Sequence, residues 1–201
     1  MRKVPSAMKQ LIAELRIALA ATAVLAVLLC GLYPMIVWGL AQGLFPAQAN
    51  GSLFMKYGEI VGSRLIAQPF AGERYFHSRP SAAGAGYDAS SSGGTNLGPT
   101  SKKLIEEVAR RAARYRMENG LAANALVPAD AVTASASGLD PHISPANAAI
   151  QARRVAAARG LSAQDVLEQV AACTEGRTLK LFGEPRVNVL MLNARLDEEW
   201  R

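Results

Sequence analysis

Between Ile17 and Met55 the sequence has no aspartate, glutamate, lysine or arginine; the next charge is Lys56. A run so long without charge excludes an ordinary solvated element there. Cysteine is nearly absent. Cys30 falls inside the uncharged run and Cys173 far beyond it, so the two cannot pair and no disulfide framework holds the fold. His77 and His142 are the only histidines, and without ligand-spaced cysteines or further histidines they leave no metal site to expect. No G-x-S-x-G elbow occurs, which removes the usual setting for an activated serine. Pairings of His77 or His142 with a serine and Asp88 or Asp140 are the remaining route to a triad, and loop histidines more often serve as structural hydrogen-bonders. No catalytic residue is therefore expected. Beyond residue 50 there are 18 basic and 15 acidic side chains, an ordinary solvated surface. The basic residues are neither interleaved with aromatics nor set in a reading motif, so no nucleic acid is expected as a partner.

What is present begins with "IALAATAVLAVLLCGLYPMIVWGL", residues 17–40. About 20 helical residues cross the hydrocarbon core of a bilayer, so this stretch predicts a transmembrane helix. Ala47, Gln48 and Ala49 imitate a signal-peptidase site. A signal peptide's apolar region is shorter, about 7 to 15 residues, and the 16-residue leader argues for an anchor. Arg2, Lys3, Lys9 and Arg16 stand against a single acid, Glu14, in that leader, whereas residues 39–55 carry no charge. The excess of basic residues predicts a cytoplasmic leader (1–16), a membrane helix (17–40), a hinge (41–50) and an extracytoplasmic domain (51–201). Within the helix, Gly31 and Pro34 are followed by Gly39 and Gly43 in G-x-x-x-G spacing, with Ala18, Thr22 and Ala26 further back. Such rows suit close packing against another membrane helix.

The domain reads as mixed α/β or α+β. A strand pair or a single bent strand is predicted over 58–70, ended by Pro69, then a long loop over 74–99 rich in small and turn residues. Loops of that length are usually functional or interfacial. A helix follows, with Thr100 or Ser101 as its N-cap, Leu104, Val108, Ala112 and Tyr115 on its inner face, and a stop at Asn119 and Gly120. Its Arg110, Arg111, Arg114 and Arg116 form a solvated face or a contact with an acidic partner. After a second turn-rich loop, 127–145, a helix runs from Ser144 and Pro145 to Gly160, and another is capped by Ser162 with Asp165 completing a capping box. Strands over 178–182 ("TLKLF") and 186–196 ("RVNVLMLNARL"), joined at Gly183–Pro185, are predicted to finish the chain.

"SSSGGTNLGPTSKK", residues 90–103, starts like a phosphate-binding loop: Gly93, four residues, Gly98. Pro99 and Thr100 then stand where such a loop has lysine and serine or threonine. Ser92, Gly93, Gly94, Thr95 and Asn96 remain candidate nucleotide contacts, since glycines let main-chain N–H groups approach phosphate. The alternative is a loop-to-helix junction that packs within the domain or on a partner.

The stretches "YFHSRPSAAGAGYDASSSGGTNLGPTS" (75–101), "VTASASGLDPHISPANAAIQARRVAAARGL" (132–161) and "GEPRVNVLMLNARLD" (183–197) closely resemble the C subunit of the Kdp-type potassium-transporting ATPase. With the membrane helix, the likeness covers nearly the whole chain. It implies a non-catalytic accessory subunit of an inner-membrane complex for potassium import. Its implied partners are a channel-like A subunit, a P-type ATPase B subunit and a small F subunit. It also implies a role in assembly and as a chaperone that raises the ATPase subunit's affinity for ATP. No tightly bound cofactor is expected, with ATP reaching the chain only through the complex. The extracytoplasmic placement of the 90–103 loop conflicts with direct ATP contact there. A stand-alone anchored periplasmic binding domain or hydrolase is the alternative.

Overall fold

The structure is a computed structural model that describes residues 7–56 and 58–199. Arg2 and Lys3 of the leader lie outside these residues. The chain divides into two compact units at Ser52 and Leu53.

The first unit is one long apolar helix with a small cap. α1 (Ala7–Ala26) continues through a π-helical turn, Val27–Leu32, into α2 (Tyr33–Leu44), and a single turn, α3 (Pro46–Ala49), follows. Residues Ala7–Leu44 have a mean hydropathy of 2.3 in their most apolar window and are long enough to cross a membrane. None of its side chains is buried within the unit. The helix starts inside the leader, at Ala7, where Gln10 donates to Glu14. It also runs through the front of the segment expected to be a hinge.

The second unit is α+β, with all strand pairs antiparallel. Its hairpin, β1 (Leu53–Lys56) and β2 (Glu59–Ser63), pairs Lys56 with Glu59 around a turn whose Gly58 has φ +84°. β2 thus falls within the 58–70 expected from sequence, whereas its partner β1 precedes that segment, because the hairpin turns at Gly58. β3 (His142–Ile143), β4 (Thr174–Glu175) and β5 (Arg186–Asn188) form a sheet in the order β3-β5-β4.

Helices carry most of the core. α4 (Lys102–Glu118) starts after Ser101 and turns Leu104, Val108, Ala112 and Tyr115 toward the interior, as their spacing predicts. A one-turn helix, α5 (Ala129–Val132), precedes β3. α6 (Pro145–Arg159) begins where the Ser144 hydroxyl accepts the Asn147 N–H and ends on Gly160 at φ +71°. α7 (Ala163–Ala172) begins where Ser162 accepts the Asp165 N–H. Ala148, Ala152, Val155 and Ala156 of α6 pack with Val166 and Val170 of α7 and with Phe76, Ile143 and Val187.

The C-terminal expectation needs correcting. Arg186–Asn188 is a strand, but Val189–Glu199 is a helix, α8. Val189, Leu192 and Leu196 are fully or almost fully buried at intervals of three and four, which is helical spacing concealed in a continuous apolar run. Asn188 supplies the start signal, its Oδ1 accepting the Met191 N–H. "TLKLF" is not a strand either. Thr178 and Phe182 make one isolated bridge, and Leu179 and Lys180 sit at φ +54° and +62° inside a tight turn.

Candidate functional site

The site is the long loop between β2 and α4 and the pocket it walls. A loop of this length buries main-chain polar groups only if something satisfies them. Here helix side chains do so. Asn193 of α8 accepts the Phe76 N–H at 2.8 Å and returns its own amide to the Phe76 carbonyl at 2.9 Å. Gln151 of α6 does the same for His77, accepting its N–H at 2.8 Å and donating to its carbonyl at 3.2 Å. Each amide thus imitates a neighbouring strand, and both side chains are buried with Phe76.

From Gln151 a polar network runs through the domain. Gln151 and the Tyr115 hydroxyl both donate to Asn147 Oδ1, at 2.9 and 2.7 Å. Asn147 donates to Asp130, whose carboxylate also takes the Ser144 N–H and hydroxyl. Burial holds the Tyr115 hydroxyl far above its usual pKa, aided by the Asp130 charge. Arg154 binds the loop from the other side, donating to the carbonyls of Gly72, Glu73 and Tyr75 and to Asn119 and Gln151. Arg159, its side chain almost wholly buried, joins Asp197 at 2.8 Å to the Arg74 and Leu196 carbonyls.

A pocket of about 650 Å³ opens beside this network, walled by Phe70, His77, Tyr87, Arg114, Tyr115 and Glu118 among others. His77 Nε2 lies 3.0 Å from the Gly72 carbonyl, and Nδ1 lies 3.9 Å from Glu118. Burial, then the Arg154 charge, lower the His77 pKa, against the raising effects of the Gly72 carbonyl and Glu118. The arginines of α4 are largely engaged at home: Arg111 with Glu107 and the Val132 carbonyl, Arg114 with Glu118, Arg116 with the Ala125 carbonyl.

The nucleotide candidates lie further along the same loop, against residues 134–138. The Gly93 N–H donates to the Ser137 carbonyl at 2.9 Å, and the Ser92 hydroxyl donates to the same oxygen at 3.0 Å. A Cβ on Gly94 would stand 3.0 Å from the Ala136 carbonyl oxygen. Thr95 is half-buried and Asn96 is exposed at φ +52°. Opposite them Gly138, at φ +67°, leaves no room for a side chain, since its Cβ would meet the Ala83 N at 2.6 Å and the Gly93 O at 2.7 Å.

The histidine pairings divide. Asp88 bonds Ser90, twice. Asp140 and His142 do meet, at 3.2 Å, but the same carboxylate oxygen takes the His142 N–H and the other takes Arg79 at 3.0 Å. Burial pushes the Asp140 pKa up, and the hydrogen bonds from His142 and Arg79 outweigh it, so the carboxyl titrates below its usual range. That arrangement locks a turn. Among the described residues no three of histidine, cysteine, aspartate and glutamate are grouped to hold a metal ion. Gly31, Gly39 and Gly43 have open space where a Cβ would stand.

Sequence reasoning missed Asn147, Gln151, Arg154 and Asn193. The available signal was polar residues placed on otherwise apolar helix stripes: Asn147 and Gln151 beside Ala148 and Ala152, and Asn193 between Leu192 and Leu196.

Comparison with known proteins gives one answer. The family model described as KdpC, K+-transporting ATPase, c chain, matches residues 15–198. The chain is 57% identical to the potassium-transporting ATPase KdpC subunit of Nitratidesulfovibrio vulgaris (strain Miyazaki F), covering 90% of this chain and 92% of that one. It is 53% identical to the subunit of the same name from Koribacter versatilis, over 88% and 90% of the two chains. For the Rhodospirillum rubrum subunit the figures are 54%, 92% and 96%.

Proposed function

The chain belongs to the KdpC family, the c chain of the K+-transporting ATPase, and from that premise we propose that it is an assembly and stabilising subunit whose domain lies outside the cytoplasm. Its partners on this reading are a channel-like subunit, a P-type ATPase subunit and a small third subunit in the inner membrane. The orientation rests on the basic leader and the uncharged stretch beyond the helix.

The observation that carries the proposal is the fixed state of the long loop. Residues 75–93 are tied to α6, α8 and the 134–140 loop by hydrogen bonds from both main chain and side chains. A surface prepared in this way suits rigid docking, which costs little ordering on binding. The Ser92–Asn96 stretch is then a packing junction. What supports this over nucleotide contact is that the Gly93 N–H and the Ser92 hydroxyl are both committed to Ser137. Pro99 also stands in the place of the lysine that would reach the phosphates. A raised ATP affinity of the ATPase subunit follows, on this reading, from assembly and not from ATP bound to this chain.

Copurification tests it. A tagged full-length chain extracted in mild detergent from potassium-starved cells is expected to bring down a multi-span channel-like protein and a P-type ATPase in fixed ratio. Recovery of the chain alone refutes the subunit role. Labelled ATP that binds the purified chain, and is lost on Gly94→Lys, refutes the packing role of the loop.

A further inference from the structure

The β1–β2 hairpin has two unlike faces. Its inner face is held by the domain. Phe54 and Lys56 are half-buried on it, Lys56 reaches Asp197 at 3.7 Å, and Gly62 lies so close to Gln68 that a Cβ would stand 2.8 Å from the Gln68 amide nitrogen. At the end of the hairpin Asn188 donates to the Arg64 carbonyl at 2.8 Å. The outer face is open. Leu53 and Met55 point to it by strand alternation, and Ile60 joins them because it stands directly opposite Met55. The three are 47, 58 and 62% exposed. The register slips at Val61, and this bulge re-aims the side chain outward beside Ile60, 50% exposed. Scattered apolar residues are ordinary on a protein surface, but four adjoining ones mark a contact.

What covers this face follows from the hairpin's place in the sequence. Leu53 comes nine residues after Leu44, the last residue of the apolar helix, and four of the residues between them form the turn α3. The run without charge that begins at Ile17 does not stop where the helix does, but continues through Met55. A strand with one face in water carries polar residues at its outward positions. Here those positions are Leu53 and Met55. The anchor points of protein–protein interfaces are enriched in Trp, Tyr and Arg, with Leu and Val under-represented, and the outer face, made of Leu53, Met55, Ile60 and Val61, has none of the enriched types.

We propose that the outer face of the β1–β2 hairpin is a lipid-binding surface: Leu53, Met55, Ile60 and Val61 enter the boundary between headgroups and acyl chains of the bilayer that the helix spans. The inference rests on the reading of Ala7–Leu44 as a membrane anchor and goes beyond the subunit role. Only side chains enter the boundary. Each strand of a two-stranded ribbon has one side without a strand partner, and such an edge is costly in hydrocarbon, so the main chain stays in the hydrated headgroup layer. Aliphatic side chains lying in the interface bind by the apolar area they bury there. Because the inner face is tied to Asn188 and Asp197, this contact holds the domain to the membrane surface at a second point, besides its covalent link to the helix.

The test uses the full-length tagged chain in native membranes, with a photoreactive phenylalanine analogue in place of Ile60, of Met55 or, as a control, of Leu126, which is 93% exposed. Irradiation is expected to join phospholipid to the chain at positions 60 and 55, several-fold more than at 126. Ile60→Asp is expected to cut the lipid adduct at position 55 several-fold, and Ile60→Leu to leave it unchanged. Ile60 points away from the packed face, so neither substitution removes a buried contact, and an unchanged limited-proteolysis pattern checks that the domain stays folded. Protein adducts alone at 60 and 55, lipid adducts no stronger than at 126, or an adduct at 55 indifferent to Ile60→Asp overturn the proposal. An alkaline carbonate wash separates the failures. A chain that it strips from the membrane has no anchor, and the proposal falls with the anchor. A retained chain that copurifies with partners and gives only protein adducts keeps the subunit reading and loses this contact. A retained chain recovered alone, with lipid adducts at 60 and 55, keeps this contact and loses the subunit role.

Discussion

Asn193 is 1% exposed, and its side-chain amide satisfies both polar groups of the Phe76 main chain, 117 residues away in sequence. Asn193→Leu keeps the γ-branched outline of the side chain and orphans a buried N–H and a buried carbonyl. At about 1 to 3 kcal/mol for each of the two orphans, the substitution is expected to cost about 2 to 6 kcal/mol in urea unfolding of the detergent-solubilised chain. A loss within experimental scatter would show that the loop satisfies itself. His77 acts through charge. Its pKa is lowered in the folded domain, burial being the main cause, so between that value and the ordinary 6.5 the unfolded chain binds more protons. Stability is therefore full above about pH 6.5 and declines as pH falls through the folded pKa. Melting curves recorded between pH 7.5 and 5.5 should show a shallower decline for His77→Gln, and parallel curves would remove His77 as the cause.

The two loops depend on each other through glycine. Gly138 combines a left-handed φ with contacts that leave no space for a methyl group, whereas a Cβ on Gly98 would meet nothing within 4 Å. Gly138→Ala is expected to displace residues 83 and 93 and to destabilise the domain by more than the ~1 kcal/mol typical of a strained glycine site. Its readout is limited proteolysis within 84–100, which should speed up strongly in Gly138→Ala and not in Gly98→Ala. Equal cleavage of both would mean that the 134–138 loop does not hold its neighbour. At the same scale, helices α6 and α7 were legible because their signals are local: Ser144 with Pro145, Gly160, Ser162 with Asp165. Helix α8 was not, since a continuous apolar run fits a buried strand as well as a buried helix until its neighbours are known. The turn at Leu179 and Lys180 hid for a related reason, its positive φ angles falling on residues that do not advertise them.

At the scale of the whole molecule, the orientation of the domain decides which partners it can reach. Leu126 is 93% exposed, so Leu126→Cys provides an accessible label where the half-buried Cys173 does not. A membrane-impermeant maleimide should modify it in cells whose outer membrane alone is permeabilised, and labelling only after inner-membrane lysis would reverse the orientation. The sequence by itself determined the membrane helix, the mixed class of the domain and the caps of its central helices, because apolar length and capping chemistry act over a few neighbouring residues. Only the tertiary structure decided that Gln151 and Asn193 clamp a loop 74 and 117 residues distant, that α8 is a helix, and that Gly93 faces Ser137. Those outcomes depend on which buried polar groups find partners once the chain is packed, and residues far apart in sequence carry no mark of which ones will meet.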